Sequence, residues 1–377
     1  MMPLLAPGEI FHNSVRLNRI LRKMETGGKD AKELQRSKTK PFIAAINGMA
    51  LGGGFEIPLA CHHRIAADDA SVKLGLPEVM VGLLPGGGGT QRLPRLIGIQ
   101  AALQFLSTGK TMTGKEGLGF GIIKELVARD QLVQKAKELV KANPKAIQPW
   151  DEKGFKYPGG GGAMHPGSVQ TFMAANAMAR DKTYGNYPAV QYILSSVYEG
   201  SIVPMDMAIE IESKYFTRLI VEGQAGNMIR TLFVNKTAAE KGARRPQGFA
   251  KMPTKKLGML GAGLMGAGIA YVSAAAGIEV VLVDRDQASA DRGKDYSVKI
   301  VEKAVSRRKM TQEEGDALLA RITATDDYTN LAHADLVIEA VFEDRDLKAD
   351  VTKRALAVTG DDIIFASNTS TLPITGL

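Results

Sequence analysis

The chain has 377 residues, 45% of them hydrophobic, and 48 basic against 40 acidic side chains give a net charge of +8; that length fills roughly two to three globular domains. A single cysteine, Cys61, excludes an internal disulfide framework and a cysteine-built zinc cluster, and it reads as a small buried apolar residue. No apolar run approaches the roughly 20 residues of a membrane span, and the opening Met1 to Glu9 lacks both the charged and the apolar region of a signal peptide, so a cytoplasmic protein is expected.

The basic residues fall in local groups, Arg16, Arg19, Arg22 and Lys23, then Lys241, Arg244 and Arg245, and the aromatics, 6% of the chain, are not interleaved with them. That pattern argues against nucleic acid as a partner. It leaves either solvated surface charge or a moderate positive field for polyanionic small molecules such as coenzyme A or NAD.

The first forty residues predict a helix and a basic linker, with Val15, Leu17, Ile20, Leu21 and Met24 on one face. Phe42 to Ile46 then predicts a strand, and Phe55 to Cys61 the helix opened by the glycines between them. Strands are expected at His63 to Ala67, Val72 to Leu74 and Ile122 to Val127, with helices at Thr90 to Leu106 and Gln131 to Lys141, which makes an α/β layer. Pro144, Pro149, Pro158, Gly159 to Gly162, Pro166 and Gly167 read as linker, so a first domain is expected over 1–148. A helical connector is expected within 149–250, where Met205, Ala208, Ile209, Phe216, Leu219 and Ile220 recur at three- and four-residue spacing. The remainder, 251–377, reads as a βαβ pattern: strand Lys256 to Leu260, helix Leu264 to Ala276, strand Glu279 to Val283, then strands at Leu336 to Ala340 and Ile363 to Ala366.

Two glycine-rich turns carry chemistry. In the first, Gly52, Gly53 and Gly54 let a ligand approach the backbone closely, and their amides stand unpaired at a helix start, suited to the enolate oxygen of a thioester. Glu56, just inside that helix, and Glu78, in Leu74-Gly75-Leu76-Pro77-Glu78, are the candidate acid and base, because two carboxyls in different environments can divide giving and taking a proton. Taken bare, a glycine triplet before a glutamate is only a helix start with a surface carboxylate. The ordered set is stronger: Asn47-Gly48, Ala50-Leu51-Gly52-Gly53-Gly54, Glu56, Leu76-Pro77-Glu78 and Pro85 to Arg95 resemble the crotonase superfamily, in particular enoyl-CoA hydratases. The resemblance implies a partial ClpP/crotonase-like domain, the Gly53 amide as one of two oxyanion donors, and Glu56 and Glu78 holding the water that adds across a 2,3 double bond. Isomerases of that superfamily tend to keep one such glutamate, so the pair favours hydration. Pro58 is tolerable only near the start of its helix. His62 and His63, expected on that same helix, point about 100° apart and read as packing or surface, and His12, His165 and His333 lack ligand-like companions, so no metal is expected.

In the second turn, Gly261-x-Gly263-x-x-Gly266 lies between an expected strand and an expected helix, and Asp284 follows 18 residues later at the end of the next strand. That context marks a Rossmann dinucleotide site: pyrophosphate at the helix start, ribose hydroxyls on Asp284, and NAD favoured over NADP because the carboxylate repels a 2′-phosphate, with Arg285 beside it weighing the other way. Glu339 to Glu343, Lys348 and Ala366 to Ile374 resemble the NAD domain of 3-hydroxyacyl-CoA dehydrogenases. The resemblance implies cofactor-side roles for Met265, Asp284, Val341, Phe342, Glu343, Lys348 and Ser370.

The order of crotonase part, helical connector and Rossmann NAD-binding domain is similar to that of fatty acid oxidation complex alpha subunits. It implies hydration of trans-2-enoyl-CoA followed by NAD-dependent oxidation, an acyl-CoA thioester as substrate and a thiolase beta subunit as partner. Against that pattern the chain starts after the first crotonase elements and stops before the histidine-bearing segment of the dehydrogenase, as an internal fragment would. The alternative is a noncatalytic protein that keeps NAD and coenzyme A affinity.

Overall fold

The computed structural model describes residues 5–249 and 252–376; the first four residues, Leu377 and the expected boundary at 250/251 lie outside them. Contacts divide the chain into two units, Met1–Arg245 and Pro246–Leu377.

Unit 1 opens with α1 (Pro7–Thr26), closed by Gly27 in the left-handed region at φ 66°, and α2 (Ala31–Ser37), started by Asp30, which accepts the amides of Lys32 and Glu33. The second helix replaces the expected basic linker. The expected apolar face of α1 is also corrected: Leu17 and Ile20 are 50% and 56% exposed, whereas Ser14, Val15, Asn18, Leu21, Arg22 and Glu25 are buried. The reason is what α1 covers, a glycine-rich loop and a cluster of buried charges, so its inner face is chosen for hydrogen bonding rather than for apolar area.

Next come β1 (Ile43–Ile46), β2 (Met49–Leu51), α3 (Gly53–Ala60), β3 (His63–Ala67), β4 (Lys73–Gly75), and a short 3-10 turn, Pro77–Val81. They are followed by α4 (Gly89–Ile97), α5 (Ile99–Leu106), β5 (Met112–Thr113), α6 (Gly114–Gly119), β6 (Glu125–Val127) and α7 (Leu132–Ala142). The strands form two small sheets, one parallel in the order β1-β3-β6 and one in the order β2-β4-β5 with β5 antiparallel. Phe55, Leu59, Ala66, Leu74, Leu93 and Leu106 are the heart of the core between them. The helix expected over Thr90 to Leu106 is broken at Gly98 (φ 86°), where an added Cβ would lie 2.6 Å from the Pro158 carbonyl. α3 stops at Ala60 because buried Arg64 donates to the carbonyls of Pro58 and Cys61 at its end. His62 and His63 are therefore not helical: buried His62 accepts the Phe42 amide at Nδ1, and His63 begins β3. Cys61 is buried, as expected.

The helices α8 (Pro166–Thr183), α9 (Pro188–Gly200), α10 (Met205–Val221), α11 (Gln224–Ile229) and α12 (Lys236–Glu240) complete unit 1. α10 packs on α1, α4 and α9 and buries Met205, Ala208, Ile209, Glu212, Ser213, Thr217 and Leu219. Ile220, placed on that face by its spacing, is exposed.

Unit 2 consists of β7 (Lys256–Leu260), α13 (Leu264–Ala275), β8 (Glu279–Val283), α14 (Gln287–Ser306), α15 (Gln312–Ala320), β9 (Ile322–Thr325), β10 (Leu336–Glu339), α16 (Arg345–Thr359) and β11 (Ile364–Ser367). All five strands are parallel in the order β11-β10-β7-β8-β9. The order reverses direction at β7, the switch point at which a doubly wound sheet opens its crevice. The strands expected from sequence fall in place, and β9, α14, α15 and α16 are added to them.

Candidate functional site

The first site is built where α3 begins. Gly52, at φ 57°, turns the chain into the helix, and an added Cβ there would meet Glu78 Oε1 at 3.1 Å. Gly53 and Gly54 would meet nothing within 4 Å, and the Gly53 amide has no acceptor among the described residues. It is an open donor at the positive end of a helix, as an oxyanion site requires.

Glu56, one turn on, is buried and aims at the loop Gly86 to Thr90. Its Oε1 accepts the amides of Gly87 (2.7 Å) and Gly89 (2.8 Å). Glycine is required along this loop: a Cβ on Gly87 would stand 2.7 Å from Glu56 Oε2, one on Gly89 2.9 Å from Oε1, and Gly88 is left-handed at φ 93° against the Arg92 guanidinium. Glu78, on the 3-10 turn after β4, is half-buried, and its Oε2 has no hydrogen-bond partner among the described residues. Burial, then the charge of Glu56, pushes the Glu78 carboxyl up to about 8. Burial also raises Glu56, but the Gly89 and Gly87 amides and the charge of Arg92 oppose that rise. The two carboxyls thus stand in different environments, Glu56 held by two backbone amides and Glu78 with an unpartnered oxygen, the kind of difference that lets one carboxyl give a proton and the other take it.

Sequence reasoning missed what surrounds these carboxyls. Arg92, fully buried, binds Glu25 of α1 (2.6 Å) and donates to the Gly87 carbonyl (2.8 Å), while Asn18 donates to the Gly86 carbonyl (2.9 Å). Arg22 ties Glu25 to Asp151 and Asp206. Glu212 of α10, 0% exposed, accepts amides from the same loop, and burial and the Glu56 charge raise its carboxyl to about 8. A signal for it existed: Glu212 stands at the seventh residue after Met205, on the apolar face of an amphipathic helix, where an acidic residue needs a partner.

The second site is a cavity of about 790 Å³ at the switch point of unit 2. Gly261, Gly263, Met265, Asp284, Val341, Phe342 and Glu343 all line it. Gly266, Lys348 and Ser370 do not. Gly266 serves packing, since a Cβ there would come 1.8 Å from the Gly261 carbonyl. Lys348, 1% exposed, pairs with Glu339 (2.9 Å) and Glu343 (3.2 Å), which places it behind the wall as the support of Glu343. Ser370 donates its amide to Glu343 at 3.3 Å.

These residues fit a dinucleotide. A Cβ on Gly263 would meet nothing within 4 Å, and the amides of Gly263, Leu264 and Met265 have no acceptor among the described residues, so the start of α13 presents three open donors to a pyrophosphate. Asp284 is held at the rim, accepting the Ala262 amide at Oδ2 (2.7 Å) and its neighbour Arg285's amide at Oδ1 (2.7 Å). Each oxygen retains a lone pair for a ribose hydroxyl. Among the described residues no group of His, Cys, Asp and Glu could hold a metal ion, and no helix is long and apolar enough to cross a membrane.

Residues 16–149 match the enoyl-CoA hydratase/isomerase family, and residues 256–377 match the NAD binding domain of 3-hydroxyacyl-CoA dehydrogenase. The fatty acid oxidation complex subunit alpha of Shewanella baltica is 40% identical over 337 residues, which are 89% of this chain and 47% of that protein. Its counterpart in Shewanella frigidimarina is 38% identical over 347 residues, again 89% and 47%. A crystal structure of (S)-3-hydroxybutyryl-CoA dehydrogenase from Ralstonia eutropha is 36% identical over 33% of this chain and 44% of that one, with a TM-score of 0.32. The chain spans about half the length of the curated relatives it matches. It therefore carries a crotonase-type enoyl-CoA hydratase/isomerase domain and, after it, a Rossmann NAD-binding domain of the 3-hydroxyacyl-CoA dehydrogenase type, and is a relative of the fatty acid oxidation complex alpha subunits.

Proposed function

We propose that unit 1 adds water across the double bond of a trans-2-enoyl-CoA and that unit 2 serves the NAD-dependent oxidation of the resulting 3-hydroxyacyl-CoA to the 3-oxoacyl-CoA, two consecutive steps of fatty acid β-oxidation. The observation that carries the first step is the asymmetric pair Glu56 and Glu78 beside the open Gly53 amide. Glu56 Oε2, whose sister oxygen is held by two amides, takes a proton from water as its oxygen bonds to C3. The electron pair of the double bond moves onto the thioester oxygen, where the Gly53 amide donates to the enolate. Glu78 then delivers its proton to C2, so the elements of water are added and nothing is oxidised.

For the second step, Gly261, Gly263 and Met265 would hold the pyrophosphate, Asp284 the adenosine ribose, and Val341, Phe342 and Glu343 the far wall, with Gly266, Lys348 and Ser370 supporting them. Bound NAD supplies a hydride acceptor for C3. The carboxylate of Asp284 favours NAD over NADP by repelling a 2′-phosphate. The net charge of +8 suits two polyanionic ligands. A 3-oxoacyl-CoA product is consumed by thiolytic cleavage, so a thiolase beta subunit is the partner this chemistry calls for, and the cytoplasm is the proposed location.

The test is crotonyl-CoA hydration by the chain and by Glu56→Gln and Glu78→Gln, each of which keeps shape and removes proton transfer. Each should cost about 10²- to 10⁴-fold in rate. The wild-type rate should fall as pH rises through about 8, where Glu78 gives up its proton. Turnover unchanged in both variants would contradict the assignment.

A further inference from the structure

We propose that Glu212 of α10 is a positioning residue for the hydration chemistry: it holds the glycine loop in the one arrangement that lets that loop hold Glu56. The inference rests on the hydratase reading above. Its basis is an alternation along four consecutive residues. The Gly87 amide donates to Glu56 (2.7 Å), the Gly88 amide to Glu212 Oε1 (2.5 Å), the Gly89 amide to Glu56 (2.8 Å) and the Thr90 amide to Glu212 Oε2 (2.9 Å). The Thr90 hydroxyl adds a third donor to Glu212, also at Oε2 (2.6 Å). Two carboxyls from two helices thus grip opposite edges of one buried strip of backbone.

The two grips depend on each other. Without Glu212 the Gly88 and Thr90 amides would be buried with no acceptor, a state costly enough that the loop rotates to relieve it. The Gly87, Gly88 and Gly89 amides lie in successive peptide planes that pivot on the Cα atoms between them, so a rotation that moves the Gly88 amide displaces its neighbours and also withdraws the two donors from Glu56 Oε1. Glu56 would then lose both its orientation and the amides that favour its ionised form. Glu212 touches no reacting atom in this account. It acts through backbone, from a helix that lies outside the residues matched by the hydratase family.

Amide hydrogen exchange on the whole chain tests this directly, read beside hydration kinetics. In Glu212→Gln, exchange should speed at least about tenfold at Gly88 and Thr90 and, as the distinguishing result, also at Gly87 and Gly89, while β3 and β7 stay protected. Crotonyl-CoA turnover should fall about tenfold in kcat with little change in KM. Fast exchange confined to Gly88 and Thr90, with kcat unchanged, would overturn the proposal. Should Glu212→Gln lose protection throughout unit 1, Thr90→Val, which removes only the hydroxyl donor, decides by the same four amides: faster exchange at Gly87 and Gly89 supports it and an unchanged pattern there overturns it. Glu56→Gln separates this from the hydratase reading: unchanged hydration in that variant defeats the functional reading, whereas the exchange pattern decides the coupling itself.

Discussion

The chain uses glycine in two places for opposite ends. In unit 1 the loop Gly86 to Thr90 is buried from Gly87 on, and its amides are taken by the protein's own carboxylates, Glu56 and Glu212, while Asn18 and Arg92 take its carbonyls. In unit 2 the turn Gly261 to Gly266 leaves the amides at the start of α13 open beside a cavity. Missing Cβ atoms make room in the first case for internal charges and in the second for an external anion. A glycine motif alone does not say which; the acids that fold back onto it do.

The sharpest way to break that comparison is a Cβ in each place. Gly88→Ala puts a side chain on a left-handed residue and into the Arg92 guanidinium, which separates Arg92 from buried Glu25. About 3–5 kcal/mol of unit 1 stability should go, read from denaturant unfolding. Gly263→Ala meets nothing, so unit 2 should keep its stability to within about 0.5 kcal/mol while NAD affinity, measured by calorimetry, drops by about tenfold or more. Equal losses of stability in both would mean that the two turns are not used differently.

A smaller effect follows from the raised carboxyl of Glu78. Its folded pKa, about 8, lies above the ordinary glutamate value, so the native state binds the proton more tightly than the unfolded chain. Stability from this group is therefore complete below the ordinary range near pH 4.5 and is lost as pH rises toward about 8. Glu78→Gln, which cannot ionise, should raise the melting temperature relative to wild type at pH 8.5 and leave it nearly unchanged at pH 4.5. A variant less stable at the higher pH would show that the native protein favours the Glu78 carboxylate, the opposite of a raised pKa. The smallest effect is at Asp284: Asp284→Ala should narrow the preference for NAD over NADP by about tenfold or less, because the repulsive carboxylate is gone. Equal affinities in the unmutated chain would contradict the role given to it.

Much of unit 2 was legible because its signals are local. The strands at Lys256–Leu260 and Glu279–Val283 are uncharged and largely apolar after their first residue, and the glycine fingerprint lies between them with Asp284 at the end of the second. Family likeness alone places Lys348 near the cofactor, but its partners Glu339 and Glu343 come from β10 and the turn after it, and that pairing puts it behind the wall. The turns that carry Glu56 and Glu78 are legible for the same local reason. The cage around them was not. Asn18, Glu25, Arg92 and Glu212 are scattered over nearly two hundred residues, and a periodicity rule that looks for apolar faces reads α1 by Leu17 and Ile20, which are exposed. A helix that packs on charge hides its inner face from such a rule.

The central claim is that burial and the charge of Glu56 raise the Glu78 carboxyl to about 8. Carbon-13 NMR of the chain labelled at the glutamate side-chain carboxyl, titrated from pH 4 to pH 10 in wild type, Glu56→Gln and Glu78→Gln, measures this without relying on turnover. Two carboxyls should titrate near 8, those of Glu78 and Glu212; one of them should vanish in Glu78→Gln, and both should titrate lower in Glu56→Gln, where the neighbouring charge is gone. A Glu78 signal that titrates in the ordinary carboxylate range, and does not move when Glu56 is replaced, would contradict it.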